Sequence, residues 1–144
     1  MKRIIAWVDE RLEPSPLLSA FLFRHLPEGV SWLQTLGFSS LVVFLVLVVT
    51  GIALAMNYSP TPEHAYDSVQ YITNEVPLGG IVRGIHKWAA SAMVILVGVH
   101  MLRVFLMAAY KYPRELTWIV GVLLLILVIG SSFTGYLLPW DQKA

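Results

Sequence analysis

Between Gly29 and Pro62 the chain carries no formal charge, and a second uncharged window runs from Leu116 to Trp140. Each is longer than the ~20 residues that a bilayer core requires. A backbone crossing lipid has no water to bond, so runs of this kind fold as helices that satisfy their own peptide groups. The first span is expected near Leu33 to Met56 and the third near Leu116 to Leu138. A middle uncharged window, Trp88 to Leu102, is shorter. Arg83, Lys87 and Arg103 at its ends can snorkel toward water, which extends the second span to about Gly84 to Met107. The composition agrees: 57% of the 144 residues are hydrophobic and 13% charged. These numbers describe an all-α membrane protein rather than a soluble domain.

The chain divides into a surface segment, 1–28, and a membrane domain, 29–144. In "MKRIIAWVDERLEPSP" the charges Asp9, Glu10 and Arg11 stand where a cleaved signal needs its apolar core. Ile5, Val8 and Leu12 fall at helical spacing, which predicts an amphipathic helix on the membrane surface, stopped by Pro14 and Pro16. Lys and Arg set the direction. Lys2, Arg3, Arg11, Arg24, Arg103, Lys111 and Arg114 fall on one side, and Arg83, Lys87 and Lys143 on the other. The amino end is therefore expected in the cytoplasm, with the first loop on the positive side. That loop includes "EHAYDSVQYITNEV", read as a surface helix begun by Thr61 or Pro62. Net charge is +1 with no basic run, so nucleic acid is not an expected partner.

The second span begins and ends with histidine: "HKWAASAMVILVGVH", His86 to His100. Fourteen helical residues rise about 21 Å and turn about 1400°, so both rings leave one face, near opposite boundaries of the membrane. Such a distance rules out direct proton exchange between them and suits two stacked sites. Imidazole inside lipid is costly without a partner, and an axial bond to haem iron supplies one. With no cysteine in the sequence, neither a thioether-linked haem nor a thiolate-held iron–sulfur cluster belongs to this chain. His64, among polar residues, and His25, beside Arg24, are expected in solvent.

Glycine repeats the interval. Gly37 and Gly51 lie in the first span, Gly121 and Gly135 in the third, each pair again fourteen apart. A flat macrocycle needs places where no side chain stands between it and a helix backbone. By depth, Gly51, His86 and Gly135 share the positive-side level, and Gly37, His100 and Gly121 the cytoplasmic level. Arg83 and Arg103 lie one turn outward from their histidines, where they can pair with haem propionates, with Lys87 as a further cation. Two plainer readings stay open at this point. Each histidine could simply hydrogen-bond a neighbouring helix, and a two-heptad interval also suits a helix–helix seam.

At these residues the chain resembles the cytochrome b/cytochrome b6 family, the haem-carrying core of bc1 and b6f quinol-oxidising complexes. The likeness covers nearly the whole chain: "VDERLE", "SVQYITNEV", "RGIHKW", "HMLRVF", "KYPRELTW" and "GYLLPWDQKA". "KYPRELTW" and "LPWDQ" resemble the short b6-like branch and its Gram-positive relatives more than the mitochondrial form.

The resemblance implies three transmembrane helices forming most of a haem-binding four-helix bundle, with two haem b held by His86 and His100. It implies a di-haem electron-transfer subunit of a quinol:cytochrome c or plastocyanin-type oxidoreductase, with no catalytic side chain of its own. Quinol is oxidised on the positive side and quinone reduced on the cytoplasmic side. An iron–sulfur protein and a c-type cytochrome serve as partners, in a dimeric complex of a bacterial inner membrane or equivalent. Tyr136, Leu137, Pro139 and Trp140 would line part of the quinol pocket.

Two departures stand out. Thr35 replaces the cysteine that holds an extra covalent haem in the b6 branch. The family's fourth helix, with the opposing histidine pair, lies beyond Ala144, so those ligands are expected from another chain or segment. Two rival functions share these features: a haem-free packing or assembly subunit derived from cytochrome b, and a di-haem anchor of another oxidoreductase.

Overall fold

A computed structural model describes residues 32–141. The expected surface helix at the amino end, and His25 with it, lie outside the described residues. Helix α1 spans Leu36–Ala55, α2 Ala65–Asn74, α3 Gly79–Leu106 and α4 Glu115–Leu137, with one 3-10 turn at Trp32–Gln34 ahead of α1. The three long helices are apolar enough to cross a membrane, and no strand occurs among the described residues.

Helix α3 is the centre of the packing: α1 runs antiparallel along it, and α4 touches it over a shorter stretch. The seam of α1 is a heptad-like stripe of Gly37, Ser40, Val43, Leu47, Thr50, Gly51 and Leu54, all at least partly buried. Small residues let two backbones approach closely where lipid offers no hydrophobic drive between helices. The two buried hydroxyls of this stripe are satisfied within their own helix. Ser40 Oγ donates to Leu36 O at 2.8 Å and Thr50 Oγ1 to Val46 O at 2.7 Å. Helix α4 contributes no buried residue, and Ile126, Leu127 and Phe133 stay 60–65% exposed.

The α3 helix starts five residues earlier than the charge pattern predicts, at Gly79 rather than Gly84. The cause is α2, which buries Ala65, Val69 and Ile72 at helical spacing against the start of α3. Gly79 lies so close to that helix that a Cβ on it would collide with the Ile72 carbonyl. Leu78, at φ 61°, turns the chain between the two. At the other end, Tyr110 stacks on Phe105 at 5.8 Å and tilts against Trp118 at 5.5 Å. This aromatic clasp, made partly from "KYPRELTW", joins the end of α3 to the beginning of α4.

Candidate functional site

The antiparallel packing of α1 on α3 sets each glycine of α1 against one histidine of α3. At the end nearer α2, a Cβ built on Gly51 would stand 3.3 Å from His86 Cε1. At the opposite end, a Cβ on Gly37 would stand 3.1 Å from His100 Cε1, 3.6 Å from Nδ1 and 3.7 Å from Nε2. At both positions a side chain would press on the ring, and glycine leaves that approach free. Fourteen residues back along α1 matches fourteen residues forward along α3, so the two levels repeat one geometry about 21 Å apart.

The third span adds less contact at each level. A Cβ on Gly121 would meet Met101 Sδ at 3.5 Å, next in sequence to His100, whereas Gly135 faces open space. Both helix-packing readings are thus partly realised, since the seam runs through the glycines and His86 does bond a neighbouring helix. His100 does not: its Nδ1 is buried with no hydrogen-bond partner.

The cations are placed differently from one another. Arg103, one turn beyond His100, has a buried Nε without a partner. Arg83 reaches away from the histidine, its Nη1 donating to Thr73 Oγ1 on α2 at 3.1 Å. Lys87 is exposed, and His64 is an exposed residue at the start of α2.

At the carboxyl end of α4 a groove is lined by Thr134, Leu137, Leu138 and Trp140. Of the four residues expected at a quinol pocket, Leu137 and Trp140 line it, while Tyr136 and Pro139 do not. Trp140, at φ 47°, sits in the left-handed turn that follows the helix. Tyr58 at the end of α1 donates its hydroxyl to Leu138 O at 2.7 Å, closing this end of the assembly.

These residues fit haem. Among the described residues no group of three or more His, Cys, Asp or Glu gathers to hold a metal ion. Haem asks the protein for few donors, and a single histidine is an ordinary one. Each histidine keeps a ring nitrogen uncommitted to the protein, and glycines at both levels clear the space beside the rings.

Comparison with known proteins decides the family: the cytochrome b/b6/petB family model matches residues 22–144. The chain belongs to the cytochrome b/b6 family. The chain is 43% identical to the menaquinol:cytochrome c reductase cytochrome b subunit of Bacillus subtilis, over all of this chain and 67% of the relative. It is 42% identical to cytochrome b6 of Synechococcus elongatus, over 99% of this chain and 66% of that one. Among solved structures it matches a chain of a hyperthermophilic respiratory Complex III with a TM-score of 0.82 and 34% identity. That match covers 96% of this chain and 35% of the solved one. The chain thus spans about two thirds of the length of these curated relatives.

Thr50 was not among the residues singled out from the sequence, although a signal was present. It is a hydroxyl residue inside an uncharged span, next to one of the spaced glycines. Tyr58 and Thr73 carry no comparable signal, because their partners lie 80 and 10 residues away.

Proposed function

We propose that this chain is the di-haem b electron-transfer subunit of a quinol-oxidising complex of cytochrome bc or b6f type. It connects quinol oxidation on the positive side with quinone reduction on the cytoplasmic side. The observation that carries the reading is the repeated pair: His86 against Gly51 and His100 against Gly37, in one antiparallel register. Two matched imidazoles at separate depths make a transmembrane path, whereas a packing subunit needs neither.

In this reading His86 and His100 would each hold a haem iron through one ring nitrogen, with another chain or segment supplying the second histidine pair. Haem, when bound, supplies a one-electron carrier that no side chain here offers. The glycines keep side chains out of the space beside each ring. Arg103, whose buried Nε is without a partner, is the cation placed to hold a propionate at the His100 level. Arg83 and Lys87 serve the other level, Arg83 by exchanging its bond to Thr73. The apolar spans exclude water between the two levels, which keeps the charge-transfer path in a low-dielectric medium.

The groove at Thr134, Leu137, Leu138 and Trp140 belongs to the end that the charge distribution assigns to the positive side. It is the candidate wall of the quinol pocket, with Tyr136 and Pro139 adjoining it. The Bacillus subtilis relative is named as a subunit of a menaquinol:cytochrome c reductase, which supports a c-type cytochrome as a partner; an iron–sulfur protein and a dimeric complex complete the reading. An energy-transducing membrane with the amino end cytoplasmic is the expected setting.

Reduced-minus-oxidised spectra of the purified complex test this. The intact complex should show two b-type α-bands, and His86→Leu and His100→Leu should each remove a different one. Bands that survive both substitutions refute the reading. Electron flow insensitive to inhibitors of the positive-side quinol site would instead favour a di-haem anchor of another oxidoreductase.

A further inference from the structure

The two histidine levels differ in one atom-scale respect that the family likeness leaves unassigned. Thr50 Oγ1 lies 2.8 Å from His86 Nδ1, and the same oxygen lies 2.7 Å from Val46 O. A hydroxyl has a single hydrogen and a carbonyl has none to give. The short contact with Val46 O therefore takes the hydroxyl hydrogen, and Thr50 Oγ1 is left as an acceptor. His86 must then carry its proton on Nδ1 and donate it to Thr50.

Neutral imidazole has one protonated nitrogen, so Nε2 of His86 is left with its lone pair free. At the other level the residue preceding the glycine is Leu36 instead of threonine, and His100 Nδ1 has no partner. One ring is fixed in tautomer and orientation, whereas the other is positioned by packing alone.

We propose that Thr50 is a positioning residue: it accepts the Nδ1 proton of His86, committing Nε2 to the metal and making this imidazole the stronger electron donor of the pair. The proposal rests on the haem reading above and goes beyond it. A hydrogen bond from the outer ring nitrogen raises the basicity of a metal-bound histidine, and such contacts tune the metal's potential. Greater basicity favours the ferric state. Loss of the Thr50 oxygen should therefore raise the midpoint potential at the His86 level and leave the His100 level unmoved.

Potentiometric titration of both α-bands in the intact complex, comparing wild type with Thr50→Val and Thr50→Ser, reads this directly. Valine keeps the branched shape and loses the oxygen. One component should move upward in Thr50→Val, the other should stay, and Thr50→Ser should restore the wild-type value. Where Thr50→Val does not assemble, Leu36→Thr builds the equivalent pair at the other level and should lower the other component.

Two unmoved components in an assembled Thr50→Val complex overturn the proposal, as does serine behaving like valine. Both components unmoved in Leu36→Thr overturn it equally. A wild-type complex without b-type bands refutes the haem reading instead, so the two failures are separable.

Discussion

Replacing Gly37 by alanine puts the histidine–glycine pairing at its sharpest risk. The new Cβ stands 3.1 Å from His100 Cε1. Unstrained carbon–carbon contact begins near ~3.5 Å, so the ring or the helix must retreat by about 0.4 Å. Overpacking of this kind costs about 1–3 kcal/mol, and alanine in a helix returns up to about 1 kcal/mol over glycine. With the full helix gain realised, the net expectation is a loss of about 0–2 kcal/mol.

Gly98, on α3 with nothing within 4 Å, receives the same helix gain without the clash. Gly37→Ala and Gly98→Ala should therefore differ by about 1–3 kcal/mol, or roughly 5- to 150-fold in an equilibrium constant. The assay is loss of b-type absorbance from the purified complex with rising denaturant. Gly37→Ala should fall first, Gly51→Ala, with its 3.3 Å approach, close behind it, and Gly98→Ala at or above wild type. Gly37→Ala should also perturb one α-band more than the other. If Gly37→Ala matches Gly98→Ala in stability and spectrum, the ring does not occupy the space that glycine leaves, and the reasoning fails.

Two further substitutions probe the ends of the assembly. Gly79→Ala should be the most damaging of the glycine-to-alanine changes, since its Cβ meets the rigid Ile72 carbonyl instead of a movable ring; a stable complex with normal yield would refute the close packing of α2 on α3. Tyr58→Phe removes one hydrogen bond to Leu138 O and should cost about 1 kcal/mol. Its signature is faster proteolysis after the α4 helix, and unchanged cleavage there would show that this bond does not tie α1 to α4.

Much of this protein is legible without coordinates, because the governing forces act along the chain. Lipid forbids an unsatisfied backbone, so the three uncharged windows had to be helices. Their ends shift by no more than three residues between expectation and structure, apart from the start of α3. That exception is instructive: Gly79 to Arg83 carry no strong helical signal, and the helix extends there because α2 packs on it. The interval of fourteen likewise follows from helical pitch alone, which puts His86 and His100 on one face before any neighbour is known.

What the sequence by itself determined, then, is what depends on periodicity and hydropathy: three apolar spans, and two histidines on one face of the second. Tertiary structure decided the pairings across helices. It set His86 on Thr50 and left His100 Nδ1 bare, sent Arg83 to Thr73, and tied Tyr58 to Leu138 O. Those outcomes turn on ångström-scale register between separate segments of the chain. A hydroxyl one position from a glycine is merely a neighbour in sequence, and only the antiparallel docking of α1 on α3 makes it the acceptor for a particular ring nitrogen.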